Sequence, residues 1–127
     1  MVDKELCDKA VQAFINALVC YLRSNALRTV KIASLTGQNE VKVSLRAFMR
    51  CHDSSLGFVK VRDVVDTLIA CSGDSWVRKL GWGYVSEGEE PYFIVPLRNL
   101  VELVQWVQKD GGEHTYNLLL RKMLGPK

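Results

Sequence analysis

Apolar positions near the start of the chain recur at helical spacing. Leu6, Ala10, Phe14, Leu18 and Leu22 fall every four residues, with Val11, Ile15 and Val19 beside them. This predicts an amphipathic helix over Asp3–Arg23, with Asp3 as N-cap and Ser24-Asn25 as stop. The stripe is wider than one small core needs, so part of it is expected to pack on a partner.

Residues 28–43 read in two ways. Val30/Ile32 and Val41/Val43 alternate around Thr36-Gly37-Gln38-Asn39, a hairpin signal. The same stretch holds Ala33-x-x-x-Gly37, the spacing at the centre of a helix-turn-helix, with Gln38 where an apolar residue is expected. Beyond it, Ser44 caps a helix carrying Leu45, Phe48 and Met49, and loop chemistry follows over Asp53–Gly57. Phe58–Val61 alternates as one short strand. Arg62–Cys71 is helical, with Val64, Val65, Leu68 and Ile69 apolar. Ser72-Gly73-Asp74 is a tight turn, and Ser75–Leu80 a short helix closed by Gly81. Trp82–Pro96 is a β-hairpin with polar tip Ser86–Glu90, and Pro91 and Pro96 mark an edge strand or strand ends. Leu97–Gln108 is an amphipathic helix broken by Gly111-Gly112, and a last helix covers Glu113–Leu124. Trp76, Trp82, Tyr84, Tyr92 and Phe93 stand at alternating positions beside a short helix. That favours hairpin core over stacking on single-stranded bases. The expected fold is mainly α with a small β-hairpin.

With 127 residues the chain is one domain's worth. At 48% hydrophobic and 24% charged it is not a disordered tail, a fibrous repeat or a disulfide-dense mini-protein. The longest charge-free apolar stretch, Ala10–Leu22, has 13 residues, short of the roughly 20 that span a membrane. No basic start precedes an apolar run, so no signal peptide is expected, and a cytoplasmic location is. The net charge of +3 hides an asymmetry. Arg23–Arg62 holds eight basic and two acidic residues, a net of +6; Ser86–Glu113 holds six acidic and two basic, a net of −4. A basic centre beside an acidic segment suggests one face that meets an anion such as nucleic acid.

Cys7, Cys20, Cys51 and Cys71 are widely spaced and form no Cys-x-x-Cys pair, so zinc ribbons and fingers are not expected. Cys51-His52-Asp53 invites a metal or nucleophile reading. Successive helical residues, however, point about 100° apart and cannot share one ion. Reduced, half-buried thiols are expected instead. No Gly-rich phosphate loop, paired-carboxylate motif or Ser/His/Asp set is visible. No catalytic residue, cofactor or metal is expected.

The order helix, short strand, helix, tight turn, helix, hairpin from Ser44 to Pro96 resembles the winged helix-turn-helix family. The resembling residues are Gly-Phe-Val-Lys-Val-Arg-Asp-Val-Val-Asp-Thr-Leu (57–68), Ser-Gly-Asp-Ser-Trp-Val-Arg-Lys-Leu-Gly-Trp (72–82) and the Tyr84–Val95 hairpin. Their style is similar to archaeal or archaeal-virus regulators. The resemblance implies a winged core at 44–96 between an N-terminal segment at 1–43 and C-terminal helices at 97–127. In that family the third helix enters the DNA major groove and the wing touches the backbone or minor groove. Carried over, Arg62–Cys71 is the second helix and Asp74–Leu80 the recognition helix. Arg78 and Lys79 face the duplex. Ser72, Ser75 and the free N–H groups of the helix start hold a phosphate. Lys60 and Arg62 lie at the base, and Lys42, Arg46 and Arg50 assist.

Two departures qualify the resemblance. The recognition helix is short, and the wing tip (Glu87, Glu89, Glu90) is acidic, whereas phosphate attracts basic side chains. The alternative is therefore a protein–protein adaptor on the same scaffold, its partner at the acidic wing. The resemblance also implies dimerisation through flanking helices. Their apolar faces predict a homodimer built on Phe14, Leu18, Leu22 and Trp106.

Overall fold

α1 (Lys4–Ser24) runs through the middle of the protein. The computed structural model describes residues 4–24, 26–49, 57–73, 75–86, 90–110 and 113–124. Among these, α1 is followed by α2 (Ala26–Leu35), β1 (Glu40–Ser44), α3 (Leu45–Met49), α4 (Val61–Ser72), α5 (Ser75–Leu80), β2 (Gly83–Val85), β3 (Tyr92–Pro96), α6 (Leu97–Asp110) and α7 (Glu113–Leu124). α1 touches α2, α3, α4, α6 and α7. Its small residues Ala10, Ala13 and Ala17 are buried and let those neighbours come close.

The wide apolar stripe of α1 is thus covered from within. Phe14, Leu18 and Leu22 are each 1% exposed, so they offer no surface to a second chain, contrary to the dimer face expected of them. A helix apolar around most of its circumference is an enclosed helix. Trp106 on α6 remains half-buried.

Residues 28–43 form neither a hairpin nor a helix-turn-helix. The first part is helix α2 and the last is strand β1, joined by a turn through Thr36 and Gly37. Ala33 is buried beneath α2, but the element after Gly37 is a strand. Val41 and Val43 are drawn into the sheet because they pair with Val95 and Phe93.

The short strand expected at 58–61 is also absent. Phe58 is buried while Val59 is 77% exposed. The alternation reflects one ring plugging the core just before α4. Lys60 is extended at the N-cap of α4, and its N–H donates to Asp63 Oδ2 at 3.2 Å.

The three strands are antiparallel in the order β1-β3-β2. The expected hairpin, β2 with β3, is present, and Pro91 and Pro96 mark the ends of β3. β3 is the central strand and not an edge. Pro96 is tolerated there because of the register. Leu97 N–H donates to Asn39 O at 2.9 Å, and Leu45 N–H to Pro91 O at 3.1 Å. Alternation along an antiparallel ladder then gives Val41 and Val43 the main-chain bonds to β3. Pro96 faces Glu40 at a position where no N–H is required. Glu40 and Lys42 turn their own main-chain groups to the outer edge. β1 also spans the junction at residues 43–44, so the sheet takes a strand from the N-terminal segment.

Cys7 of α1 is disulfide-bonded to Cys71 of α4, and Cys20 is also disulfide-bonded. No free cysteine occurs among the described residues. The expectation of reduced thiols is overturned. Sequence gaps carry no information about which helices lie side by side, and α1 packs along α4.

Two stability outcomes follow. The Cys7–Cys71 link closes a loop with a sequence separation of 64. On chain entropy, Cys7→Ser/Cys71→Ser is expected to lower the unfolding free energy by about 4 kcal/mol in urea titration. A loss below about 1 kcal/mol would show that the unfolded chain is already held compact. The Thr115 hydroxyl on α7 is fully buried and has no partner among the described residues. Thr115→Val removes that burial cost and is expected to stabilise by about 1 kcal/mol.

Candidate nucleic-acid interface

α5 is six residues long, about 9 Å at helical rise. Gly73 ends α4 with φ 65°, and its N–H donates to Ile69 O at 2.7 Å. Gly81, φ 81°, closes α5. Its N–H donates to Arg78 O at 2.9 Å, and Trp82 N–H donates to Val77 O at 3.1 Å. Both glycines hold left-handed backbone that other residues rarely adopt.

The orientation of α5 is set by what it buries. Trp76, Val77 and Leu80 are each 3% exposed or less. Trp76 meets Phe14 at 5.1 Å and Phe93 at 5.9 Å, both edge-on. The end of the helix is clamped by Asn99 of α6. Asn99 Oδ1 accepts from Trp82 Nε1 at 2.9 Å, and its Nδ2 donates to Leu80 O at 3.4 Å. Arg78 and Lys79 are left on the outer face, both exposed.

Lys60 and Arg62, at the start of α4, are exposed as well. Arg62 and Asp66 of α4 both lie within electrostatic reach of Tyr84 on β2. Burial pushes the Tyr84 phenol above its ordinary 10.0, Asp66 raises it further, and Arg62 lowers it. Asp66 therefore adds an acidic group to the basic neighbourhood.

Lys42 and Arg46 form a second group at the other edge of the sheet. α5 packs beside β2, while Lys42 lies on β1, with β3 between. Two strand spacings are about 10 Å. Lys42 Nζ stands 5.3 Å above the Tyr92 ring. Arg46 Nε is 3.5 Å from Glu90 Oε1. That ion pair is exposed on both sides and so weak, but it sets an acidic hairpin residue against a cation expected to meet phosphate. Arg50 lies outside the described residues, as do Glu87, Glu89 and the side chains of Ser72 and Ser75.

Several contributors escaped the sequence reading. Asn99 has no local signal, because its role needs α6 folded over α5. Tyr92 meets Lys42 only through the β1–β3 register. α7 packs against α5 and carries exposed Arg121 and Lys122 in its last turn. The chain matches no protein-family model, no curated protein and no solved structure.

Two tyrosines give a pH test. Burial raises Tyr21 above its ordinary 10.0, and the Thr29 hydroxyl, 3.4 Å away, partly counters this because it can donate to the phenolate. Tyr84 is raised as above. A phenol whose folded pKa exceeds its unfolded value loses stabilisation as pH rises through the folded value. Fold stability is expected to fall above pH 10, and Tyr84→Phe to lessen the fall. Ultraviolet titration, compared with Tyr21→Phe and Tyr84→Phe, should show both phenols ionising above 10.0. Ionisation of either at its ordinary value would place that ring in water.

Proposed function

We propose that this chain is a double-stranded DNA-binding protein, a small transcription regulator of winged helix-turn-helix type. The observation that carries the reading is α5. It follows α4 across a glycine turn, is pinned by Trp76, and points Arg78 and Lys79 outward ahead of the β2–β3 hairpin. An Arg on such a helix can read guanine through two hydrogen bonds. Lys60 and Arg62 add charge for the phosphates.

A cytoplasmic site of action goes with this reading, subject to one condition. Disulfides persist inside cells chiefly in hyperthermophiles. A disulfide-bonded cytoplasmic regulator therefore fits a hyperthermophilic archaeon or its virus, in line with the style of residues 72–82.

The Arg46–Glu90 pair favours a second reading, a protein–protein adaptor. It draws an acidic hairpin residue over part of the basic surface. Titration with random duplex at two salt concentrations separates the two. For the DNA reading, affinity falls steeply with salt. Arg78→Ala/Lys79→Ala lowers it and flattens the slope of log K against log salt by about one per lost phosphate contact. Melting temperature should hardly move, because both side chains are exposed. Absence of binding at low salt, or an affinity indifferent to the double substitution, removes α5 from any DNA interface. Glu90→Gln leaves Arg46 unpaired and is expected to raise nonspecific affinity if the β1–α3 group also reaches the duplex.

A further inference from the structure

The outer edge of β1 is unpaired. Among the described residues no strand lies beyond it. Gln38, Asn39, Glu40, Val41 and Lys42 border an open groove, and a second groove, lined by Tyr21, Thr29, Ser44 and Arg46 among others, shares Lys42 with it. The ladder to β3 leaves the main-chain N–H and C=O of Glu40 and Lys42 pointing outward into this space. An open edge is a template for another strand, and charge is the usual device that blunts it.

Here the charges do the opposite. Glu40 and Lys42 are opposite in sign, two residues apart, exposed, and on the same face of the strand. Place a second β1 antiparallel to the first, with the two-fold axis at Val41. Glu40 then faces Lys42 of the second copy, and Lys42 faces its Glu40. Both are hydrogen-bonded pairs that use the outward groups, and each side chain meets its opposite charge. Val41 meets its own copy on the inner face. Moving the axis one residue, to Lys42, would oppose two lysines and is disfavoured.

We propose that a second copy of this chain pairs antiparallel on β1, in the register that sets Glu40 against Lys42, so that two three-stranded sheets become one continuous sheet. The interface commits neither Phe14, Leu18 and Leu22, which are buried, nor Arg78 and Lys79. It uses Lys42 of the second basic group but none of the α5 face, so a measurement without DNA tests it apart from the α5 reading. Two five-residue strands bury little area, so the dimer is weak and forms at high micromolar concentration.

Sedimentation equilibrium without DNA, up to about 0.5 mM chain, tests it. Wild type is expected to dimerise. Glu40→Lys and Lys42→Glu each set like charges opposite one another and weaken the dimer by about tenfold or more. The double exchange, Glu40→Lys/Lys42→Glu, restores it. Lys42→Pro removes an outward N–H without touching the ladder to β3, and leaves a folded monomer by circular dichroism. Should the proline variant fail to fold, the charge exchange decides alone. A wild-type chain that stays monomeric throughout overturns the proposal and leaves the edge to a strand of another protein or to solvent. So does a dimer that keeps its strength in both single charge variants, which places the contact on another face.

Discussion

The Phe93 ring, fully buried on the central strand, has aromatic neighbours on several sides at 5.0 to 5.9 Å: Phe14 of α1, Trp76 of α5, Trp82 and Tyr84. Edge-on and tilted ring pairs contribute about 0.5–1.5 kcal/mol each beyond their burial. More than energy, they constrain position. One residue ties the enclosed helix, the short helix and the sheet together, and no member can shift without opening a void in the others.

The surface chemistry depends on that packing. A six-residue helix is too short to hold itself together in water. α5 is helical because Trp76, Val77 and Leu80 have somewhere to go and because Asn99 and Gly81 satisfy its end. Arg78 and Lys79 project outward as the complement of that burial. Their shared direction is a by-product of the core, not of the charges themselves.

Against this rigid centre the charged surface is divided. One basic group stands at α4 and α5 near β2; the other stands at β1 and α3, partly answered by Glu90. The disulfide between Cys7 and Cys71 holds α1 to α4, and so fixes the first group relative to the core. An oxidised framework in a chain large enough for a real core reinforces a fold that burial already supports.

Elements whose signals lie within a few residues can be read from the amino-acid order alone. The helical period of Phe14, Leu18 and Leu22, the polar tip between two β-rich runs, and the glycines at 73 and 81 were all legible, because spacing and backbone freedom act within a few residues. What it left open depends on partners distant in the chain. Val41 and Val43 become a strand because Phe93 and Val95 lie alongside, some fifty residues on. Phe58–Val61 has the same alternation, but among the described residues no strand pairs with it, so it is not one. The α1 stripe looks like an interface until α2, α3, α4, α6 and α7 close around it. Cys7 and Cys71 are brought together by the packing of α1 on α4. Of the candidate site, the exposure of Arg78 and Lys79 was readable from their place between Val77 and Leu80. The separation of Lys42 and Arg46 from them was not, because strand order β1-β3-β2 is a property of pairing, and pairing is decided only when the whole chain has folded.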